Sequence, residues 1–122
     1  PWVAESGLRC DARGFVEISR TLQSHSHPAV FAVGDCASLP GAAKSGVYAV
    51  RQGPVLAANL SAVLRGLPLR RYRPQRHSLA LLATGDGGAL LGWRSWSAGG
   101  PLFGRWKDWL DQGFIQRHRL PE

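Results

Sequence analysis

The sequence predicts a mixed fold, α/β to α+β, built in two successive parts. Three observations carry that expectation. A short apolar run, Val30-Phe31-Ala32-Val33, is halted by Gly34-Asp35; a long helical pattern spans Ser45 to about Leu64; and a glycine-centred reversal is followed by an amphipathic helix. Between the last two features, Leu67 to Gln75 is rich in proline and arginine, which sets the expected division at residues 1–66 and 67–122.

The opening stretch reads as loop. Asp11-Ala12-Arg13-Gly14 has turn chemistry, and Phe15-Val16-Glu17-Ile18 alternates as a half-exposed strand does. Ser24-His25-Ser26-His27-Pro28 is a polar connection leading into Val30–Val33. An unbroken apolar run of that length suits a strand covered on both faces, as in a parallel sheet. Ser45 is the expected N-cap of the long helix, its hydroxyl accepting from a free first-turn amide. Val47, Val50, Pro54, Val55, Ala58 and Ala62 fall near one face, with Tyr48 and Leu56 beside it. Gly53-Pro54 predicts a kink or a split into two helices, because proline removes an intrahelical donor. Gly66 and Pro68 end the helix. In the second part, Leu79–Ala83 and Ala89–Trp93 flank Gly85-Asp86-Gly87-Gly88, which predicts a hairpin whose glycines supply positive φ. Ser97 to Pro101 reads as a loop. The last helix places Phe103, Trp106, Leu110 and Phe114 on a common face.

At 122 residues the chain can build one compact domain or two small subdomains. No apolar run reaches the roughly 18 residues of a membrane-spanning helix, and the N-terminus lacks the basic start and apolar stretch of a secretory signal. The expected location is the cytoplasm, with a peripheral position at the inner membrane surface as the alternative. The absence of methionine and the start at Pro1 predict an excised or processed piece, the alternative being a mature chain trimmed of its initiator. The net charge of +7 favours acidic partners, yet it is dispersed apart from Arg70, Arg71, Arg73 and Arg76. Such a run ordinarily marks a solvated loop, and nucleic acid is not the expected partner. Cys10 and Cys36 form no CxxC pair and lack zinc-site companions, so two reduced thiols are expected.

The segment most able to carry chemistry is His27 to Asp35. In open α/β sheets, ligands sit just beyond the carboxyl ends of the strands. Gly34, without a Cβ, admits a ligand chain close to the backbone, and Asp35 can accept hydrogen bonds from a polyol. The alternative is a plain glycine turn in which Asp35 caps whatever follows.

These residues belong to a longer pattern. Gly7-Leu8, Asp11, Gly14, the strand Phe15–Ile18, Thr21-Leu22-Gln23 and Phe31-Ala32-Val33-Gly34-Asp35 together resemble the two-dinucleotide-domain flavoproteins, the pyridine nucleotide-disulfide oxidoreductases. Lys44 to Gly53 and Asn59-Leu60 are similar to the helix that, in that family, points its N-terminus at the isoalloxazine. The resemblance implies the C-terminal portion of a Rossmann-like FAD domain, followed by an interface subdomain with a hairpin and a helix. It implies that Asp35 binds the FAD ribityl chain, with Gly34 giving access. Amides near Gly46 and Val47, with Lys44, would then favour negative charge on the flavin. Gln52 either contacts the ring or braces the helix. The implied activity is hydride transfer from NAD(P)H through FAD to an acceptor, for example a quinone.

More narrowly, the pattern resembles the type II NADH dehydrogenase-like branch. Gly34-Asp35-Cys36-Ala37, the Val47–Ala57 run, Tyr72-x-Pro74-Gln75-Arg76, Leu81-Leu82-Ala83-Thr84-Gly85 and Arg105-Trp106-Lys107-Asp108 resemble a bacterial group found alone or fused ahead of selenide, water dikinase. The family's Gly-x-Gly-x-x-Gly loops, which cradle the FAD and NAD(P)H pyrophosphates, are absent from these residues. The chain alone is expected to be inactive, and its partner is the remainder of the same polypeptide. Cys36 reads as a small packing residue.

The second part is expected to act as an interface, with a homodimer as one outcome. Trp96, Trp106 and Trp109 near Arg105, Lys107, Arg117 and Arg119 either fill a local core or dock peripherally on a membrane surface. An interaction module for self-association, membrane contact or partner docking is the competing function.

Overall fold

The computed structural model describes residues 2–119, which divide into two compact units between Arg76 and His77. Those residues form three α-helices and two small sheets, a mixed α/β arrangement. The division falls ten residues beyond the compositional boundary after Gly66, and the reason is a clamp. Asn59 is fully buried; its side-chain amide donates to the carbonyls of Thr21 (2.8 Å) and Arg70 (2.9 Å), and its oxygen accepts from the Arg70 N–H (2.8 Å). Residues 67–76 thereby join the first unit, and Tyr72 enters its core.

In that unit, α1 (Trp2–Glu5) is a single helical turn where a loop was expected. The Asp11–Gly14 turn forms as its chemistry predicts. The Asp11 carboxylate accepts from the Arg13 and Phe15 N–H groups, and Gly14 takes φ 83° while donating to the Asp11 carbonyl at 2.9 Å. The Phe15 N–H, then the Ser38 hydroxyl, hold the Asp11 carboxyl below its usual range. β1 (Val16–Glu17) runs parallel to β2 (Ala37–Ser38), with Val16 opposite Ala37. Val16, Ile18, Leu22, Ala37, Leu39 and Tyr72 form the core, so the alternation read from Phe15 to Ile18 holds. Leu22 is wholly buried although its φ is 69°.

Val30–Val33 does not form the strand expected of it. The segment makes one isolated antiparallel bridge, Gln23 to Phe31, and Val30 is 37% exposed. Phe31, Ala32 and Val33 are half-buried and pack against the core. A run of apolar residues announces burial but does not by itself dictate a strand.

The long helix, α2 (Gly46–Leu64), is one element containing Pro54 rather than two. Pro54 and Val50, whose carbonyl loses its partner, are both exposed, so water can take the freed acceptor. The helix stops at a Schellman arrangement. Gly66 takes φ 63°, its N–H bonds the Val63 carbonyl at 3.2 Å, and the Leu67 N–H bonds that of Ala62 at 2.9 Å. The buried face differs from the one read by hydropathy. Tyr48, Gln52, Asn59 and Ala62 are buried, with Val55 and Leu56 against the core, whereas Val47 and Val50 are exposed. Two polar side chains win the inner face because each bonds backbone that would otherwise be unpaired.

The second unit holds the expected hairpin. β3 (Ala80–Ala83) pairs antiparallel with β4 (Ala89–Trp93), Leu81 opposite Leu91, and Gly85 and Gly87 take φ 86° and 85°. Asp86 accepts from the Thr84 hydroxyl and the Gly88 N–H, which lowers its pKa. The presumed loop at residues 97–101 is instead mostly strand: β5 (Trp96–Gly100) pairs antiparallel with β4. At Gly99 an added Cβ would meet Leu90 Cδ2 at 2.8 Å, a contact that the exposed Leu90 side chain can relieve by rotating. α3 (Pro101–Arg117) starts with proline in its first turn and packs on the sheet. Gly104 is its one buried residue, and an added Cβ would strike the Gly87 carbonyl oxygen. The tryptophans do not fill a core: Trp93, Trp96, Trp106 and Trp109 are all exposed, Trp109 by 69%.

Candidate functional site

Gly34, Asp35 and Cys36 form a 3₁₀ turn packed against α2, and of the other sequence-predicted residues Lys44 and Gln52 bond to it. Gly34 has φ 70°, a conformation costly to side chains with a Cβ, and a Cβ there would meet that of Ala49 at 3.4 Å. Its N–H donates to Gln52 Oε1 at 2.6 Å, an anchor eighteen residues away. Gln52 is 3% exposed. Of the two roles open to it, this bond is the brace.

Lys44 holds the other side of the turn. Its ammonium donates to the carbonyls of Asp35 (3.0 Å) and Ala37 (2.6 Å) and lies 3.6 Å from the centre of the Phe15 ring. It is half-buried rather than loosely solvated, so its positive charge is fixed beside the turn. The Asp35 side chain is exposed and, among the described residues, enters no ion pair. Cys36 is exposed and not the packing residue expected; its thiol donates to the Val33 carbonyl at 3.2 Å. Cys10 and Cys36 are both free thiols.

Gly46 and Val47 open α2 and are exposed. Backbone bonding to the Ser45 carbonyl begins with the Tyr48 N–H (3.0 Å) and the Ala49 N–H (3.2 Å). The two preceding amides lie ahead of the intrahelical ladder, at the positive end of the helix dipole. Ser45 occupies the N-cap with extended backbone, but its hydroxyl makes no capping bond and is a buried oxygen without a partner. The turn and the helix start therefore share a neighbourhood offering one free carboxylate, one fixed cation and two unspent amides.

Asn59, Tyr48 and Gln75 support the surroundings of the site through bonds that the sequence pattern does not specify. The Tyr48 hydroxyl donates to the Gln75 carbonyl at 2.9 Å, and the Tyr72 hydroxyl to Gln75 Oε1 at 3.3 Å. Burial first, then the neighbouring Tyr48, raises the Tyr72 pKa against a smaller lowering by Arg51. The available signal was the spacing Tyr48-Gln52-Val55-Asn59-Ala62, a helical stripe in which polar side chains alternate with apolar ones.

Among the described residues no cluster of three or more His, Cys, Asp or Glu is placed to hold a metal ion, and no helix is long and apolar enough to cross a membrane. No protein-family model and no curated protein matches the chain.

Proposed function

We propose that this chain supplies the flavin-facing turn and helix, together with an interface unit, of an FAD-dependent oxidoreductase that takes hydride from NAD(P)H and delivers it to an acceptor such as a quinone. The carrying observation is the Gly34 N–H to Gln52 bond of 2.6 Å, reinforced by Lys44 on the Asp35 carbonyl, which ties the Gly-Asp turn to the first turns of α2. In this reading the first unit is the C-terminal remnant of a Rossmann-like FAD domain, and the glycine-rich pyrophosphate loops belong to polypeptide outside these residues.

When bound, the flavin provides the hydride-accepting ring system. Asp35 would accept hydrogen bonds from the ribityl hydroxyls, and Gly34 would keep the backbone clear for that chain. The Gly46 and Val47 amides and the Lys44 charge would stabilise negative charge on the bound flavin. Gln52 and Asn59 act at one remove, positioning the turn and the segment after α2.

The test is to express the gene with its upstream coding sequence. The longer product is expected to purify yellow and to oxidise NAD(P)H with a quinone present, whereas the 122-residue chain is colourless. A colourless longer product that binds no added FAD overturns the reading.

The exposed tryptophans of the second unit favour a companion role in docking, either to another copy of the chain or peripherally to a membrane surface. Sedimentation velocity with and without anionic vesicles tests it; a strict monomer that ignores lipid removes this role.

A further inference from the structure

Away from the Gly-Asp turn, the first unit has a recess of about 270 Å³ lined by three arginines, Arg20, Arg71 and Arg73. Their convergence follows from backbone pairing. The Tyr72 N–H donates to the Arg20 carbonyl at 2.7 Å, which brings the two segments side by side. Tyr72 is buried, so Arg71 and Arg73, its neighbours in extended chain, turn outward on the opposite face. Asn59 pins the preceding Arg70 backbone at both N–H and carbonyl, so the strip carrying two of the guanidinium groups is held in place before any ligand arrives.

None of these three arginines joins an ion pair among the described residues. Three like charges around one recess repel one another, and an anion relieves that repulsion. Guanidinium groups present planar forks that match phosphate oxygens two at a time. The recess lies just below the roughly 300–1,000 Å³ of pockets that enclose drug-sized ligands, which suits one or two phosphoryl groups rather than a whole cofactor.

We infer that Arg20, Arg71 and Arg73 form an oxyanion site for a small phosphate-bearing ligand, with inorganic diphosphate as its minimal probe. The site stands independently of the flavin reading. Its ligand is either free diphosphate or the diphosphate group of a nucleotide, and the two are told apart by comparing diphosphate with ADP.

The experiment is calorimetric titration of the 122-residue chain with diphosphate, ADP and a single-stranded oligonucleotide at about 0.15 M salt. Saturable one-to-one binding of diphosphate is expected. Equal affinity for ADP identifies the diphosphate group alone as the ligand, and tighter ADP binding identifies a nucleotide. Alanine at Arg20, Arg71 or Arg73 is expected to weaken binding about ten-fold or more each. Arg73→Lys keeps the charge and loses the fork, and is expected to weaken binding several-fold with an unchanged circular dichroism spectrum. Arg105→Ala, the same loss of charge in the second unit, is expected to leave affinity within about two-fold. The inference is overturned by absent diphosphate binding, by binding confined to the oligonucleotide, or by an Arg105→Ala effect as large as that of Arg73→Ala.

Discussion

Gly104 and Gly113 lie on the same helix, and alanine should move stability in opposite directions at the two. In an exposed helical position alanine is favoured over glycine by about 0.8–1 kcal/mol. At Gly113 nothing lies within 4 Å of an added Cβ, so Gly113→Ala is expected to stabilise the second unit by about that amount. At Gly104 the same Cβ lands on the Gly87 carbonyl oxygen, with Gly87 C at 3.0 Å and Gly88 Cα at 3.1 Å. All three are backbone atoms of the β3–β4 loop and cannot rotate away. α3 must lift from the sheet, loosening its cover over Ala89 and Leu91, and overpacking of this kind costs about 1–3 kcal/mol. A backbone clash this close belongs at the upper end of that range, about 2–3 kcal/mol, so after subtracting the propensity gain of about 1 kcal/mol Gly104→Ala is expected to be destabilising by about 1–2 kcal/mol net. Denaturant unfolding followed by tryptophan fluorescence reports on this unit, because four of the five tryptophans, Trp93, Trp96, Trp106 and Trp109, lie in it. Equal stabilisation by both substitutions would refute the packing of α3 on the hairpin loop.

Asn59→Leu keeps the branched outline but strands the Thr21 and Arg70 carbonyls and the Arg70 N–H; a loss of about 3 kcal/mol or more is expected, with faster amide exchange at Arg70, and unchanged exchange there would contradict the clamp. Acid should weaken both units. Asp11 and Asp86 titrate below the ordinary 3.8 when folded, so their contribution is complete above that value and is lost as pH falls through the folded values. Stability measured from about pH 5 to about pH 2 should fall less steeply in Asp86→Asn, and an identical slope would dismiss the Thr84 and Gly88 bonds as its cause.

Much of the fold was legible wherever a local rule governs the chain. The glycines of the β3–β4 loop, the Gly66 helix stop and the Asp11 turn each demand a backbone geometry that few residues supply, and each formed. The misread elements depend on partners that hydropathy does not register. Gln52 and Asn59 took the inner face of α2 because the Gly34 and Arg70 amides needed acceptors there, and no apolar period encodes that need. β5 was hidden by Gly99 and Gly100, whose composition signals a loop although both residues pair with β4. Val30–Val33 is apolar enough for a central strand, but apolarity alone does not say what covers it. At the candidate site, the nearness of Gly34 and Asp35 to Lys44 and the start of α2 followed from the motif, while the brace by Gln52 emerged only from the coordinates.

The most direct measurement is the flavin-to-protein ratio of the longer gene product carrying Asp35→Ala, compared with its parent. Removing the one carboxylate of the Gly-Asp turn is expected to reduce retained FAD about ten-fold or more, while Gly113→Ala in the same background leaves the ratio unchanged. Full flavin retention by a folded Asp35→Ala protein would mean that this turn does not face the cofactor.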